Sequence, residues 1–411
     1  MDAEIIAVGS ELLTPQHTDT NSLFLTERLN SLGILVRFKT IVGDSKEDLG
    51  AVLRAALERS PLVVLTGGLG PTEDDLTRDV VAEVLGRPLQ EVTELRRRLE
   101  DRFARLGRAM PENNLRQVQV PEGGEWLENR HGTAPGIWIQ HQDNIVVLLP
   151  GPPRELEPLF DATCVPRLER VASGARIKTR VYKVVGLPES EVDQLIAPLY
   201  RSYSNPTTTI LASLGTIEVH LRARAATEKD AEAPLAELGD KIELALGDHV
   251  YSSKGESLEE VVGMYLVMRQ KTLAVAESCT GGLLAERLTR ISGSSSYFLG
   301  GAVCYTNQMK TRWAGVPADL IQAHGAVSKP VAQALAEGVR ARAGASIGVG
   351  ITGIAGPTGG SIEKPVGLVF VALADERGTQ VREFHFPGSR DRVRHWASQM
   401  ALEMVRRRIR D

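Results

Sequence analysis

The sequence predicts an α/β protein, with a three-layer α/β domain at each end of the chain and a small α+β module between them. Three observations lead there. Its 411 residues, at about 150 per domain, ask for two or three cores. In the first and last parts, short apolar runs alternate with amphipathic helical stretches, the pattern of a mostly parallel sheet covered on both faces. The part between, about 175–255, carries strands and helices but is too short to repeat that architecture.

The first block, 1–173, opens with a short apolar strand, Glu4–Val8. Asn21–Leu32 repeats apolar residues at helical spacing, and Gly33 stops it. Ile34–Val42 reads as a second strand, Asp48–Arg59 as a helix, and Leu62–Leu65 as a buried strand between Pro61 and Gly67. Ile145–Leu149 is a further strand, ended by the turn formers Pro150-Gly-Pro-Pro153, and the block closes near Ser173-Gly174. In the middle block, 174–255, Val181–Val185 and Thr216–Ala223 read as strands. Glu189–Tyr200 and Lys229–Leu246 read as helices, with a polar interruption at Ser202–Thr209. The third block, 256–411, holds a helix at Ser257–Gln270, a strand at Thr272–Ala276 and a helix at Gly281–Arg290. A strand at Ala345–Gly350 and a long amphipathic helix from about Arg390 follow.

Composition narrows the function. With 42% hydrophobic and 24% charged residues, the chain is globular rather than disordered or fibrous. Basic residues number 48 against 52 acidic, a net charge of -4, so no overall basic field invites nucleic acid. No apolar run approaches the roughly 18 residues of a membrane span. The start, MDAEIIAVGSELL, carries acids and enters a strand at once, unlike a secretory signal. Cys164, Cys279 and Cys304 form no CxxC pair, which suits a reducing cytoplasm.

Three strand-to-helix junctions of the first block carry suggestive side chains. They are Gly9-Ser-Glu-Leu-Leu13 with Asp19-Thr-Asn21, Gly67-Gly-Leu-Gly-Pro-Thr-Glu-Asp-Asp75, and Asn129-Arg-His-Gly-Thr-Ala-Pro-Gly136. At such junctions backbone N–H groups point outward and the helix dipole favours anions. The second junction has two readings. Its glycines permit a phosphate to approach, with neighbouring carboxylates holding Mg²⁺ against it. Alternatively they make a turn in which Thr72 and Asp75 pair as in a capping box. It is no Walker loop, since no lysine follows the glycines.

Together, GSELL, DTN, TGGLGPTEDD and LPGPP resemble the molybdopterin-binding domain family over about residues 1–170. Their combination with GTAPG resembles the amino-terminal domain of the CinA competence/damage-inducible family. The resemblance implies an ADP-ribose pyrophosphatase that uses a divalent metal such as Mg²⁺. It implies phosphate contacts at Gly67, Gly68, Gly70 and Thr72, and further substrate contacts at Asn21, Gly132 and Thr133. Metal or water-positioning carboxylates are implied among Glu11, Asp44, Asp74 and Asp75. Such a metal neutralises charge on the departing phosphate oxygen and orients a water. No Nudix-type box is present, so the activity would sit on an unrelated scaffold.

In the middle block, Val185-Gly-Leu-Pro-Glu-Ser-Glu191 puts a turn before an acidic helix start, where Glu189 or Ser190 caps the helix. The block resembles the KH-type module of CinA-like proteins. A KH domain that clamps nucleic acid needs a GxxG loop, and this segment has none. A structural or site-covering role is expected instead.

Thr272-Leu-Ala-Val-Ala-Glu-Ser-Cys-Thr-Gly-Gly282 is the most informative segment of the third block. A strand ends near Ser278 and a helix starts near Gly281-Gly282. Small nucleophiles therefore sit at the carboxyl edge of a sheet, beside helix-terminal N–H groups able to hold an oxyanion. Ser278, Cys279 and Thr280 compete, and strand alternation lets only one or two of them share a pocket. A serine needs a base, and the eight histidines are scattered. Gly300-Gly-Ala-Val-Cys-Tyr-Thr-Asn-Gln-Met-Lys310 offers another: a strand, then a helix capped by Asn307, with Lys310 at its third position. There Lys310 is either a solvated surface residue or a base whose pKa is lowered by helix-terminal N–H groups and apolar walls. Ile351-Thr-Gly-Ile-Ala-Gly-Pro-Thr-Gly-Gly360 is either a plain crossover or a source of oxyanion N–H groups and a phosphate cradle. Arg390 is placed to fork a phosphate, whereas Arg406-Arg-Arg408 complement the C-terminal helix dipole.

AESCTGG, YTNQMK, ITGIAGP, KPVG and GSRDRVR, in this order over roughly 256–411, resemble the C-terminal CinA domain, the PncC-type nicotinamide mononucleotide deamidase. The resemblance selects Ser278 as nucleophile over Cys279, and Lys310 as its base. It implies that Tyr305 and Asn307 orient the lysine or the substrate, and that Thr352 and Gly353 serve the oxyanion or amide. Thr280, Gly281, Gly282 and Gly356 are implied substrate contacts, Arg390 takes phosphate, and the step needs no cofactor. The whole chain is then expected to be a cytoplasmic, homodimeric enzyme of pyridine-nucleotide recycling with two activities on small nucleotides. No membrane or nucleic-acid partner is expected. A nucleic-acid-associated competence protein and a pterin-binding first domain are the alternatives.

Overall fold

The computed structural model describes residues 1–410 except 106, 173 and 214; Ser173, the expected end of the first block, lies outside the described residues. Two compact units are present, Met1–Lys178 with Ala223–Pro234, and Thr179–Arg222 with Leu235–Asp411.

The first unit is built on a six-stranded sheet. In sheet order its strands are Leu35–Val42, Asp2–Val8, Leu62–Thr66, Asn144–Leu149, Gly136–His141 and Gly124–Leu127. The first four run parallel, Gly136–His141 turns back antiparallel to them, and Gly124–Leu127 pairs antiparallel with Gly136–His141. Alternation sorts their side chains into two cores. Ile6, Val63, Leu65 and Val146 face the helices Lys46–Arg59 and Thr77–Leu85, while Ile5, Val64, Val147 and Leu149 face Asn21–Ser31. Every residue of Leu62–Thr66 is buried, which is why that strand reads as an unbroken apolar run. Helix ends are set locally. The Ser45 hydroxyl accepts from Asp48 N, starting Lys46–Arg59 two residues before the expected Asp48, and Gly33 takes a φ of +73° just past Asn21–Ser31.

The middle of the chain forms a four-stranded sheet, in the order Thr207–Ser213, Thr216–Ala225, Arg176–Val184 and Val250–Ser252, with helices Glu189–Tyr200 and Glu228–Leu246. Thr207–Ser213 begins inside the expected polar interruption, so that part of the reading is corrected. It is an edge strand with no buried residue, and so lacks the apolar signal of the others.

The C-terminal sheet has five strands, in the order Phe298–Val303, Leu273–Glu277, Ile347–Gly353, Leu368–Asp375 and Gly378–His385. The first three are parallel, Leu368–Asp375 runs antiparallel to them, and Gly378–His385 pairs antiparallel with Leu368–Asp375. Val275, Val349, Ile351 and Val371 pack with the helices Leu258–Met268 and Arg390–Arg410, and Ala274 and Ala276 with Lys329–Ala343. That last helix lies almost on the sheet backbone. A Cβ at Gly348 would stand 2.2 Å from Ala336 O, and one at Gly350 would stand 2.5 Å from Ala332 O.

The arginines near the chain's end do more than complement a dipole. Arg406 is buried, binds the Glu403 carboxylate and donates to Asp248 O, while Arg408 pairs with the buried Asp375. Among the described residues no helix is long and apolar enough to cross a membrane.

Candidate active sites

Ser278 follows directly on the second strand of the C-terminal sheet, where its amide donates to Ile351 O at 3.0 Å. Lys310 Nζ donates to Ser278 Oγ at 3.1 Å, to Cys304 O at 3.1 Å and to Tyr305 O at 3.3 Å. Lys310 is 2% exposed and Ser278 8%. Among the described residues no carboxylate pairs with the lysine, and burial lowers its pKa. A desolvated ammonium without a counter-ion gives up its proton more readily, which is what a base for serine requires. Cys279 points instead into the apolar core, where burial pushes its thiol up to about 12. A thiol held protonated is a poor nucleophile.

Two local expectations are corrected. Thr306, not Asn307, caps the Asn307–Ala314 helix, its Oγ1 accepting from Met309 N at 3.3 Å. Lys310 therefore occupies the fourth helical position and turns inward, while Asn307 is exposed. The helix-terminal amides after Ser278 are also already occupied. The buried Glu277 carboxylate accepts from Gly282 N at 3.1 Å, Leu284 N at 3.0 Å and Ala285 N at 2.8 Å. The helix itself is Leu283–Thr289, begun by Gly281 and Gly282 at φ of +62° and +93°. Glu277 does not use the turn's own amides at Cys279 and Thr280.

The other expected residues divide into two groups. Arg390 Nη2 donates to Tyr305 Oη at 2.6 Å and Nη1 to Gly356 O at 2.8 Å, so these three come together. Thr352 and Gly353 are built into the sheet. The buried Thr352 hydroxyl donates to Ala326 O at 2.8 Å, and a Cβ at Gly353 would stand 2.7 Å from Leu368 O. Sequence reasoning missed Glu277 and Arg394. Arg394 clasps Thr280 O through Nε at 3.1 Å and Nη2 at 2.9 Å; its place one turn after Arg390 was the available signal. The Thr280 hydroxyl is buried with no hydrogen-bond partner among the described residues.

In the first unit a cavity of about 680 Å³ opens at the carboxyl ends of Asp2–Val8, Leu62–Thr66 and Asn144–Leu149. Ligands of parallel sheets sit at such edges. Glu11, Asn21, Asp44, Gly67, Gly68, Gly70, Asp74, Asp75 and Thr133 line it; Thr72 and Gly132 do not. The Thr72–Asp75 pair forms, but within the loop, because the helix starts only at Thr77. Asp75 accepts from Gly70 N at 2.7 Å, Thr72 N at 2.8 Å and Thr72 Oγ1 at 2.5 Å. Those two amides, expected to hold phosphate, thus hold a carboxylate. The glycines are needed sterically as well: a Cβ at Gly67 would stand 2.2 Å from Val8 O. Asn21 Nδ2 donates to Gly151 O at 2.7 Å, while its Oδ1 is buried with no partner among the described residues.

No three His, Cys, Asp or Glu side chains gather to cage a metal among the described residues. Asp44 is tied to Ser10 N at 2.8 Å and Asp75 to its own loop. Carboxylates that line a cavity singly fit a Mg²⁺ that takes one or two of them and completes its shell with substrate phosphate and water.

The architecture is thus mixed α/β at both ends with a small KH-like module between. Residues 4–170 match the family described as Probable molybdopterin binding domain, 179–252 the Damage-inducible protein CinA KH domain, and 255–409 the CinA C-terminal domain. The chain is 53% identical over 413 residues to a CinA-like protein of Koribacter versatilis, covering 100% of both chains. It is 51% identical over 413 residues to a CinA-like protein of Acidobacterium capsulatum, again covering 100% of both. To a CinA-like protein of Solibacter usitatus it is 50% identical over 409 residues, covering 100% of this chain and 98% of that one. The chain belongs to the CinA family.

Proposed function

We propose that the chain is a hydrolase of pyridine-nucleotide recycling with two activities. Its last domain converts nicotinamide mononucleotide to nicotinate mononucleotide and ammonia, and its first hydrolyses ADP-ribose to AMP and ribose 5-phosphate with a divalent metal. The observation that carries the deamidase is the 3.1 Å contact between Lys310 Nζ and Ser278 Oγ in a buried place. Neutral Lys310 takes the hydroxyl proton as Oγ attacks the carboxamide carbon, and the carbonyl pair moves onto oxygen beside the amides of Cys279 and Thr280. As the carbonyl re-forms, the C–N bond breaks and Lys310 returns its proton to the leaving nitrogen, releasing ammonia. Water then attacks the ester, its proton passing through Lys310 to Ser278 Oγ. Arg390, steadied by Tyr305 Oη and Gly356 O, is the charge for the substrate phosphate.

In the first domain, the unpartnered Asn21 Oδ1 suits a ribose hydroxyl donor. With Asp75 occupied by its loop, Glu11, Asp44 and Asp74 are the carboxylates to hold the metal. When bound, the metal neutralises charge on the departing phosphate oxygen. A cytoplasmic location and a homodimer belong to the same proposal; three buried free cysteines support the reducing compartment.

The test is ammonia release from nicotinamide mononucleotide by the wild type, Ser278→Ala and Lys310→Ala, with and without EDTA. Turnover that survives EDTA and collapses in both variants supports the serine–lysine deamidase. Activity retained by Ser278→Ala would move the nucleophile elsewhere.

A further inference from the structure

A second cavity of the first unit, about 500 Å³, shares Thr133 with the larger one. One wall is the helix Thr93–Arg105, on which Arg98, Arg102 and Arg105 recur at spacings of four and three and so share one face. Buried Leu95 and Leu99 fix that helix to the core. The opposite wall is the segment that carries GTAPG. Asn129 Oδ1 accepts from Gly132 N at 2.9 Å, and a Cβ at Gly132 would stand 1.6 Å from Glu155 Oε2, so a larger residue there would displace the Glu155 carboxylate. Arg102 Nη1 reaches across to Gly132 O at 2.5 Å. Trp126 also lines the cleft, with the Arg98 guanidinium 4.9 Å from its ring centre, and Glu128 holds Arg98 at 2.7 Å.

The charge balance of this cleft is one-sided. Arg98, Arg102, Arg105 and Arg130 line it with Glu128, which pairs with Arg98 and Arg130; Arg98 is also held by Glu94 at 2.8 Å, so Arg102 and Arg105 carry the free charge. Arg105 has no hydrogen bond or ion pair among the described residues, and Arg102 uses one donor on Gly132 O. Guanidinium groups with unused donors, on a fixed helix face, match a phosphate in charge and in planar fork geometry. We infer that this cleft is an anion subsite: it takes a phosphate group of a nucleotide whose remainder occupies the larger cavity, with Thr133 at the junction. This rests on the nucleotide reading of the larger cavity.

Trp126 supplies the signal for a test on the full-length protein. Inorganic pyrophosphate and ADP-ribose are each titrated into wild type, Arg105→Glu and Trp126→Phe, followed by tryptophan fluorescence and calorimetry, with ADP-ribose hydrolysis assayed alongside. Saturable fluorescence changes are expected in the wild type and should vanish in Trp126→Phe. Arg105→Glu, an exposed position whose melting curve should not move, is expected to weaken both ligands about 10-fold or more. Added salt should weaken them too. Unchanged ADP-ribose affinity in Arg105→Glu overturns the subsite, even if pyrophosphate binding falls. Hydrolysis that continues in Arg105→Glu with an unaltered KM also overturns it, and leaves the pyrophosphatase reading intact. Arg105-dependent binding without any hydrolysis by the wild type keeps the subsite and sinks that reading instead.

Discussion

The serine–lysine pair of the last domain is buried, whereas the glycine-loop cavity of the first is open and lined by carboxylates. Burial moves the pKa of a side chain only where water is excluded, so the first arrangement can make its own base from a lysine. The second leaves Glu11 and Asp74 exposed at its mouth.

That contrast breaks most sharply at Ser278. Ser278→Ala is expected to lower deamidation by at least about 10³-fold while leaving ADP-ribose hydrolysis untouched, and EDTA should do the reverse; parallel assays of both products check this. Next comes the loop. Asp75→Asn weakens the acceptor for Gly70 N and Thr72 N and should reduce ADP-ribose turnover about 10- to 100-fold, with deamidation unchanged. A result that moves both activities together would end the idea of two independent sites.

Stability sharpens the comparison further. The hydrogen bond from Arg408, aided by Arg377, holds the Asp375 carboxyl well below the usual carboxylate range. The stabilisation is therefore complete above about pH 4 and lost as pH falls below it. Asp375→Asn should cost about 2–3 kcal/mol in denaturant unfolding at neutral pH and flatten that acid limb. Lys310 runs the other way. Its folded pKa is lowered, so the unfolded chain binds its proton more readily, and stability falls as pH drops from the ordinary lysine value through the folded one. Lys310→Met should abolish deamidation yet raise stability by about 1–2 kcal/mol. The deamidation rate itself should climb with pH and level off below the ordinary lysine value near 10.4, as a pH–rate profile would record. The smallest effects are at the cap: Thr306→Ala should cost about 1 kcal/mol and Asn307→Ala less than about 0.5 in thermal melts.

Much of this was legible in the sequence, for identifiable reasons. Leu62–Thr66 announces itself because a strand covered on both faces must be apolar throughout. Thr207–Ser213 does not, because an edge strand with exposed side chains has no such constraint. The role of Lys310 was undecided on spacing alone because the helix start decides it. Moving the cap from Asn307 to Thr306 turns every later side chain by about 100°, enough to change whether Lys310 faces water or Ser278. Glu277 was invisible for a different reason. Its partners are backbone amides beyond two glycines, and nothing in the residue types of Gly282, Leu284 and Ala285 reveals that their N–H groups converge. Asp75 illustrates the same limit, since a carboxylate beside a glycine loop reads equally as ligand or as staple.

The three cysteines, all buried and free, give the molecule a built-in clock. A thiol reagent reaches each only when the packing around it opens, so labelling speed measures local opening rather than surface chemistry. Cys164 lies in the first compact unit, and Cys279 and Cys304 in the second. One mass-spectrometric time course therefore follows the breathing of both units separately. Cys304, whose carbonyl holds Lys310, times the loosening of the serine–lysine pair itself.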